Sequence, residues 1–177
     1  MSKEQNIIIL EGPDCCGKTN IAHELSRIFE IPYFKNTNEW EYFEKDDSYF
    51  LNALKYSEPF NTSFFKQTGI SVILDRSYPS EFVYSRLFNR DTDLELLKKI
   101  DIAYSELGTK IIIPTRTSYV GLIDQFGRIT EDVLVRADKL YTEFSKWTAC
   151  DVFVLNVDDE NLSREIKEIT SFLKINK

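Results

Sequence analysis

Apolar residues gather in five short runs: Ile7-Ile8-Ile9-Leu10, Ile31-Pro32-Tyr33-Phe34-Lys35, Val72-Ile73-Leu74, Lys110-Ile111-Ile112-Ile113 and Val152-Phe153-Val154-Leu155. Between them lie longer stretches with helical spacing of apolar positions. Runs this short and this rich in β-branched residues read as strands. Their alternation with helices is the order of a parallel sheet with crossover helices, an α/β layout. The first, third, fourth and fifth runs read as continuously buried. The second, with Pro32 at its start, suits the sheet edge, because proline has no N–H to give to a ladder.

After the first strand, Ile21, Leu25, Ile28 and Phe29 fall at i, i+4, i+7 and i+8 and mark one face of a helix. A second helical region over 47–68 is expected to break at Pro59 and carries Tyr49, Phe50, Tyr56, Phe60, Phe64 and Phe65. Further helices are expected over 79–90, 93–107, 130–147 and 159–173. Thr130 followed by Glu131 and Asp132, and Asp158 followed by Asp159 and Glu160, put acidic groups where they complement the positive end of a helix. The segment from Pro114 to Arg128 has no clear period and reads as a long loop of the kind that acts as a lid.

A chain of 177 residues with 42% hydrophobic positions can bury one full core, so residues 1–177 read as a single domain. The formal charge of -7 argues against binding duplex nucleic acid, and any anionic ligand must meet a local cluster of basic residues. Met1 to Asn6 is polar and no stretch is long enough to cross a membrane, so a soluble, cytoplasmic protein without a membrane partner is expected. Three cysteines, two of them adjacent, do not make a disulfide framework. The only histidine, His23, has no ligand partner at metal spacing.

The chemistry begins at Gly12-Pro13-Asp14-Cys15-Cys16-Gly17-Lys18-Thr19, set between the first strand and the first helix. This is a phosphate-binding loop: glycines let the backbone turn so that N–H groups converge on phosphate oxygens, and the helix N-terminus adds positive charge. Gly12 to Asn20 would cradle a nucleoside triphosphate, with Lys18 on its terminal phosphates and Thr19 on a magnesium ion. Asp75 ends the third strand, where it could hold magnesium or a substrate hydroxyl, or else cap a helix or form a salt bridge. Arg76 beside it is an anion clamp by residue type, since a guanidinium grips phosphate through two N–H groups. Asp14 inside the loop suits an acceptor-side contact, against the plainer reading of an Asx-turn. Arg116 and Arg128 bracket the irregular segment and could bring a guanidinium to a transferring phosphoryl group. Trp40, Tyr42, Phe43, Phe60, Phe64 and Phe65 are core in the plain reading, and one or two, with Phe64 the candidate, could stack on a planar base.

Glu11 to Thr19 together with Asp75-Arg76-Ser77 resembles the thymidylate kinase branch of the nucleotide and deoxynucleoside kinases. The resemblance implies the P-loop NTPase three-layer sandwich, a five-stranded parallel sheet flanked by helices with a lid segment. It also implies magnesium-dependent transfer of the γ-phosphate of ATP to a deoxyribonucleoside monophosphate, dTMP first, by a homodimer acting on small-molecule nucleotides. Carried over, Asp14 lies near the acceptor's sugar, Arg76 grips its phosphate, and Arg116 or Arg128 comes from the lid. The Arg-Glu-Pro motif usual after the second strand is missing, and Phe34-Lys35-Asn36-Thr37 leaves Lys35 as its substitute. Thr115-Arg116-Thr117-Ser118 and Leu140-Tyr141-Thr142-Glu143-Phe144 look equally like the deoxynucleoside kinases, whose acceptor is a 5′-hydroxyl. Those enzymes usually carry Glu-Arg-Ser where this chain has Asp75-Arg76-Ser77, and Asn in place of Asp14, so two motif positions favour the nucleotide kinase. A GTP-binding switch has only the D-x-x-G match in Ile123-Asp124-Gln125-Phe126-Gly127 and no N-K-x-D sequence for guanine. A non-catalytic ATP-binding module is disfavoured by the presence of Lys18, Thr19 and Asp75.

Overall fold

The computed structural model describes residues 5–35, 52–122 and 129–174. All five apolar runs form strands of one parallel sheet: β1 (Ile7–Leu10), β2 (Tyr33–Lys35), β3 (Val72–Asp75), β4 (Lys110–Thr115) and β5 (Asp151–Asn156). Their spatial order is β2-β3-β1-β4-β5. β1 is central, flanked by strands that come much later in the chain, and open parallel sheets of this kind bind ligands beyond their C-terminal ends where the order switches. The register brings those ends together, with Leu10 opposite both Asp75 of β3 and Ile112 of β4.

The described helices are α1 (Lys18–Phe29), α2 (Glu58–Thr68), α3 (Pro79–Leu87), α4 (Leu94–Glu106), α5 (Glu131–Trp147) and α6 (Leu162–Leu173). They cover both faces of the sheet because strand side chains alternate. Ile7, Ile9, Val72, Leu74, Ile111 and Ile113 pack towards α2, α3, α4 and α5. Ile8, Leu10, Ile73 and Ile112 pack on the opposite face with Ile21, Leu25 and Phe29 of α1 and Ile166 and Ile169 of α6. The result is the expected three-layer arrangement, with β2 at one edge as Pro32 suggested.

Four local expectations are corrected. β5 is not continuously buried: Val154 is 50% exposed, because β5 is the other sheet edge. Pro59 does not break a helix; it lies in the first turn of α2, where a missing N–H goes unnoticed, and a π-helical turn over Ala53–Ser57 precedes it. Residues 47–51 of that expected helix lie outside the described residues. The acidic run Asp158-Asp159-Glu160 lies just before α6 rather than within it, with Asp159 paired to Arg164 at 2.6 Å. Asn161 caps that helix, its side chain accepting the Arg164 N–H at 3.1 Å. β4 also runs on to Thr115, so the irregular segment starts at Arg116. Among the described residues, no helix is long and apolar enough to cross a membrane.

Candidate active site at the C-terminal edge of the sheet

The first polar residues after β1 still follow the sheet, since the Glu11 N–H reaches the Ile112 carbonyl at 3.0 Å. Gly12 then turns away with φ 134°, and a Cβ there would sit 2.7 Å from the Pro114 carbonyl oxygen, so only glycine fits between β1 and β4. Cys15 and Gly17 follow in left-handed conformation, at φ 64° and 68°. These turns wrap the loop around Lys18, which opens α1 and is buried, its Nζ donating to the Pro13 carbonyl at 2.6 Å. Burial lowers the Lys18 ammonium below its ordinary range and Arg76 adds to the effect, while Asp14, Cys16 and Asp75 oppose it. Cys16 is turned into the core, 3.6 Å from the Tyr119 hydroxyl, with its thiol raised mainly by burial, so what it offers the loop is backbone. Asn20 is exposed on the first turn of α1.

Beside the loop, the end of β3 presents Asp75, buried to 3% exposure. Its Oδ2 accepts from the Thr19 hydroxyl and the Tyr33 hydroxyl, each at 3.0 Å. Lys35 Nζ donates to Thr19 Oγ1 at 3.2 Å and lies 3.9 Å from the same carboxylate oxygen. Parallel pairing sets this up, because Lys35 is opposite Asp75 in the β2–β3 register. Burial and the neighbouring Asp75 push the Tyr33 phenol up to about 12. One carboxylate and one hydroxyl suit magnesium, which takes few protein ligands and completes its shell with water and phosphate oxygens.

Arg76 leaves β3 in left-handed conformation, φ 73°, its N–H bonded to the Leu10 carbonyl at 2.9 Å. Its guanidinium is 20% exposed and closely held. Nη2 donates to Asp14 Oδ1 at 2.6 Å; Nη1 donates to the Gly12 carbonyl at 3.3 Å and to the Tyr141 hydroxyl at 3.1 Å. The guanidinium carbon lies 5.3 Å from the centre of the Tyr84 ring. Burial works to raise the Asp14 carboxyl, but Arg76 and Lys18 outweigh it and hold Asp14 below the usual carboxylate range. Glu11 is fully buried and lies 3.6 Å from Nη1. Glu58 of α2, also buried, accepts from the Ser77 hydroxyl at 3.0 Å and the Tyr104 hydroxyl at 2.7 Å. Burial raises the carboxyls of both Glu11 and Glu58, against the hydrogen bonds that favour their ionised forms.

Arg116 stands at the opposite wall of the loop. Its Nε donates to the Cys15 carbonyl at 3.0 Å and its Nη2 pairs with Glu160 at 2.9 Å. Tyr119 anchors this stretch: it is buried, donates to Asp138 of α5 at 2.9 Å, and accepts from the Arg116 N–H at 3.3 Å. Thr117 is tied to Asp158 through both its N–H and its hydroxyl, at 3.0 and 2.7 Å. Asp158 and Glu160 of the acidic run before α6 therefore serve the segment after β4, while Asp159 between them pairs with Arg164 of α6 at 2.6 Å.

Asp14, Lys18, Thr19, Lys35, Asp75, Arg76 and Arg116 thus converge on one place, linked by the contacts above. Phe64 is not joined to them: it is 44% exposed on α2, stacked on Phe60 and edge-on to Phe65. Arg128, Trp40, Tyr42, Phe43, Phe126 and the D-x-x-G stretch lie outside the described residues. Sequence reasoning gave no role to Glu11, Glu58, Tyr33, Tyr84 or Tyr104. For Glu11 a signal existed, a lone acid between a buried strand and a phosphate loop; the others become neighbours only through the fold.

No family model matches the chain, and no curated protein matches it in sequence. Solved structures do. The YorR protein from Bacillus subtilis, crystallised in complex with phosphorylated GDP, is 20% identical over 95% of each chain, with a TM-score of 0.67. Deoxyadenosine kinase from M. mycoides with bound dATP is 20% identical over 95% of this chain and 99% of its own, TM-score 0.62. Thymidylate kinase from Ehrlichia chaffeensis is 16% identical over 97% of this chain and 99% of its own, TM-score 0.55. Likeness at this level of identity speaks to architecture, and the chain has the α/β fold of the P-loop kinases.

Proposed function

We propose that the protein is a magnesium-dependent kinase that transfers the γ-phosphoryl group of ATP to a deoxyribonucleoside monophosphate, with dTMP the first acceptor to test. The observation that carries this reading is the Arg76 guanidinium held 2.6 Å from Asp14 at the rim of the phosphate loop. A buried cation costs desolvation, and a second anionic substrate gives that charge a use. Asp14 supports the same choice. Held below the usual carboxylate range, it is a weak base, suited to orienting a sugar hydroxyl and poorly suited to taking a proton from a 5′-hydroxyl. A monophosphate needs no such base, since its attacking oxygen is already ionised.

In this reading the backbone of Gly12 to Asn20 cradles the phosphates of ATP and Lys18 reaches the terminal ones. Thr19 and Asp75 would hold the magnesium ion, whose contribution is to neutralise charge on the phosphates. Lys35, 3.2 Å from Thr19 Oγ1, adds positive charge at the same corner. Arg76 clamps the acceptor's phosphate, so that chemistry becomes a matter of alignment and charge neutralisation. Arg116 or Arg128 supplies a further guanidinium at the transferring group, and Phe64 is the candidate for stacking on the base. A deoxynucleoside kinase is the second reading, favoured by Thr115-Arg116-Thr117-Ser118 and Leu140-Tyr141-Thr142-Glu143-Phe144, which look like the deoxynucleoside kinases.

Steady-state turnover with MgATP against the four deoxynucleosides and their monophosphates separates the two. The expected result is a kcat/KM for one monophosphate at least about tenfold above that of any nucleoside. Turnover of nucleosides alone would replace this reading with the second.

A further inference from the structure

We infer that Glu11 and Tyr141 are positioning residues for Arg76, setting both its backbone and its guanidinium before an acceptor arrives. The inference rests on the reading of Arg76 as the clamp for the acceptor's phosphate.

Glu11 is 0% exposed, and its carboxylate meets the turn that carries Arg76 at both its backbone and its side chains. Oε1 accepts the Ser77 N–H at 2.7 Å, one residue past the left-handed Arg76. Both carboxylate oxygens accept from the Ser80 hydroxyl, at 3.1 and 2.9 Å, which ties down the first turn of α3. Oε2 accepts the Tyr141 hydroxyl at 2.8 Å and lies 3.6 Å from Arg76 Nη1. Tyr141, 1% exposed on α5, donates its hydroxyl proton to Glu11 and accepts from Nη1 at 3.1 Å. One hydroxyl therefore joins the carboxylate to the cation.

Capping α3 alone does not call for this arrangement, since a neutral serine or asparagine side chain satisfies helix N–H groups without burying a charge. A fully buried carboxylate is tolerated when an opposite charge faces it, and Arg76 is that charge. A non-glycine residue at positive φ persists where its surroundings hold it, and here Leu10 and Glu11 hold it from the same strand end. Glu11 directly precedes Gly12. The segment that opens the donor loop thereby also fixes the acceptor clamp, and the spacing between the two substrates is set by a single peptide stretch. An arginine pinned in advance has no side-chain freedom left to lose when phosphate binds.

The experiment compares wild type, Tyr141→Phe and Glu11→Gln, each alone and combined with Arg76→Lys, with MgATP and monophosphate varied separately and melting followed alongside. Tyr141→Phe keeps the ring in place and should raise the acceptor KM by about three- to tenfold with the MgATP KM unchanged. Glu11→Gln should have the larger effect of the same selectivity. In the Arg76→Lys background Tyr141→Phe should change the acceptor kcat/KM by less than about twofold, because residues that act through one another are not additive. Equal changes in both KM values, full additivity with Arg76→Lys, or a wild-type acceptor KM in Tyr141→Phe each overturn the inference. Should Glu11→Gln fail to fold, the Tyr141→Phe cycle decides alone. A wild-type enzyme that phosphorylates only nucleosides defeats the reading of the site itself and takes the inference with it, an outcome visible before any variant is made.

Discussion

The donor side of the site places eight consecutive residues, Gly12 to Thr19, around one ammonium, whereas the ground around Arg76 is assembled from the end of β1, α2, α3, α4 and α5. The donor loop is a local structure. Its shape follows from glycine at two turns and a helix that begins at Lys18, so a short motif specifies it almost completely. The acceptor side is a tertiary structure in which Glu11, Glu58, Tyr104 and Tyr141 meet only after the sheet and its covering helices are in place. A triphosphate presents the same groups whatever acceptor is used, so one short segment can serve it. An acceptor must be fixed relative to the donor, and that takes contacts from several directions.

Removing the centre of the local side tests it most severely. Lys18→Ala should lower kcat by about two to three orders of magnitude, the scale seen when one preorganised charge is taken from a phosphoryl or oxyanion site. Circular dichroism should show the fold retained, and turnover within a few fold of wild type would contradict the role given to Lys18.

The pH dependence of folding probes the corner between the two sides. Tyr33 is bonded to Asp75, and burial together with that carboxylate holds its phenol at about 12, against an ordinary value of 10.0. Between those values the unfolded chain has released the proton and the folded chain keeps it, so stability falls as pH rises through the window. Tyr84, held at about 12 chiefly by burial, acts in the same direction. Melting temperatures at pH 9 and pH 11.5 should therefore differ, and Tyr33→Phe should make the difference smaller even if it lowers stability at neutral pH. An unchanged difference would show that Tyr33 is not held as described.

How much was legible in the sequence follows the same division. The five strands, the edge position of β2 and the loop from Gly12 could be read because each rests on neighbouring residues. The Asp75-Arg76 pair could be read because it sits where a strand ends. The exposure of β5 is not legible because Val152-Phe153-Val154-Leu155 has the composition of a central strand, and only the strand order makes it an edge. The place of Pro59 is not legible because proline at the start of a helix and proline within one look alike until the start is known. The acidic run before α6 matches a helix signal, and Asp159 does pair with Arg164 of that helix, yet the partners of Asp158 and Glu160, Thr117 and Arg116, lie 41 and 44 residues away. Glu58, Tyr84 and Tyr104 carry no distinguishing local signal: an acid in the first turn of a helix and tyrosines in apolar patterns are ordinary until the fold encloses them.

Arg76→Lys tests the division between the two sides most directly. Lysine keeps a positive charge opposite Glu11 and Asp14, whereas alanine would leave the buried Glu11 carboxylate uncompensated at a cost of about 3–5 kcal/mol. What lysine loses is the fork of N–H groups that binds a phosphate through two bonds. With both substrates varied, the acceptor KM should rise by about tenfold or more while the MgATP KM stays within about twofold. A parallel rise in both constants, or a change confined to MgATP, would contradict the assignment of a local donor side and an assembled acceptor side.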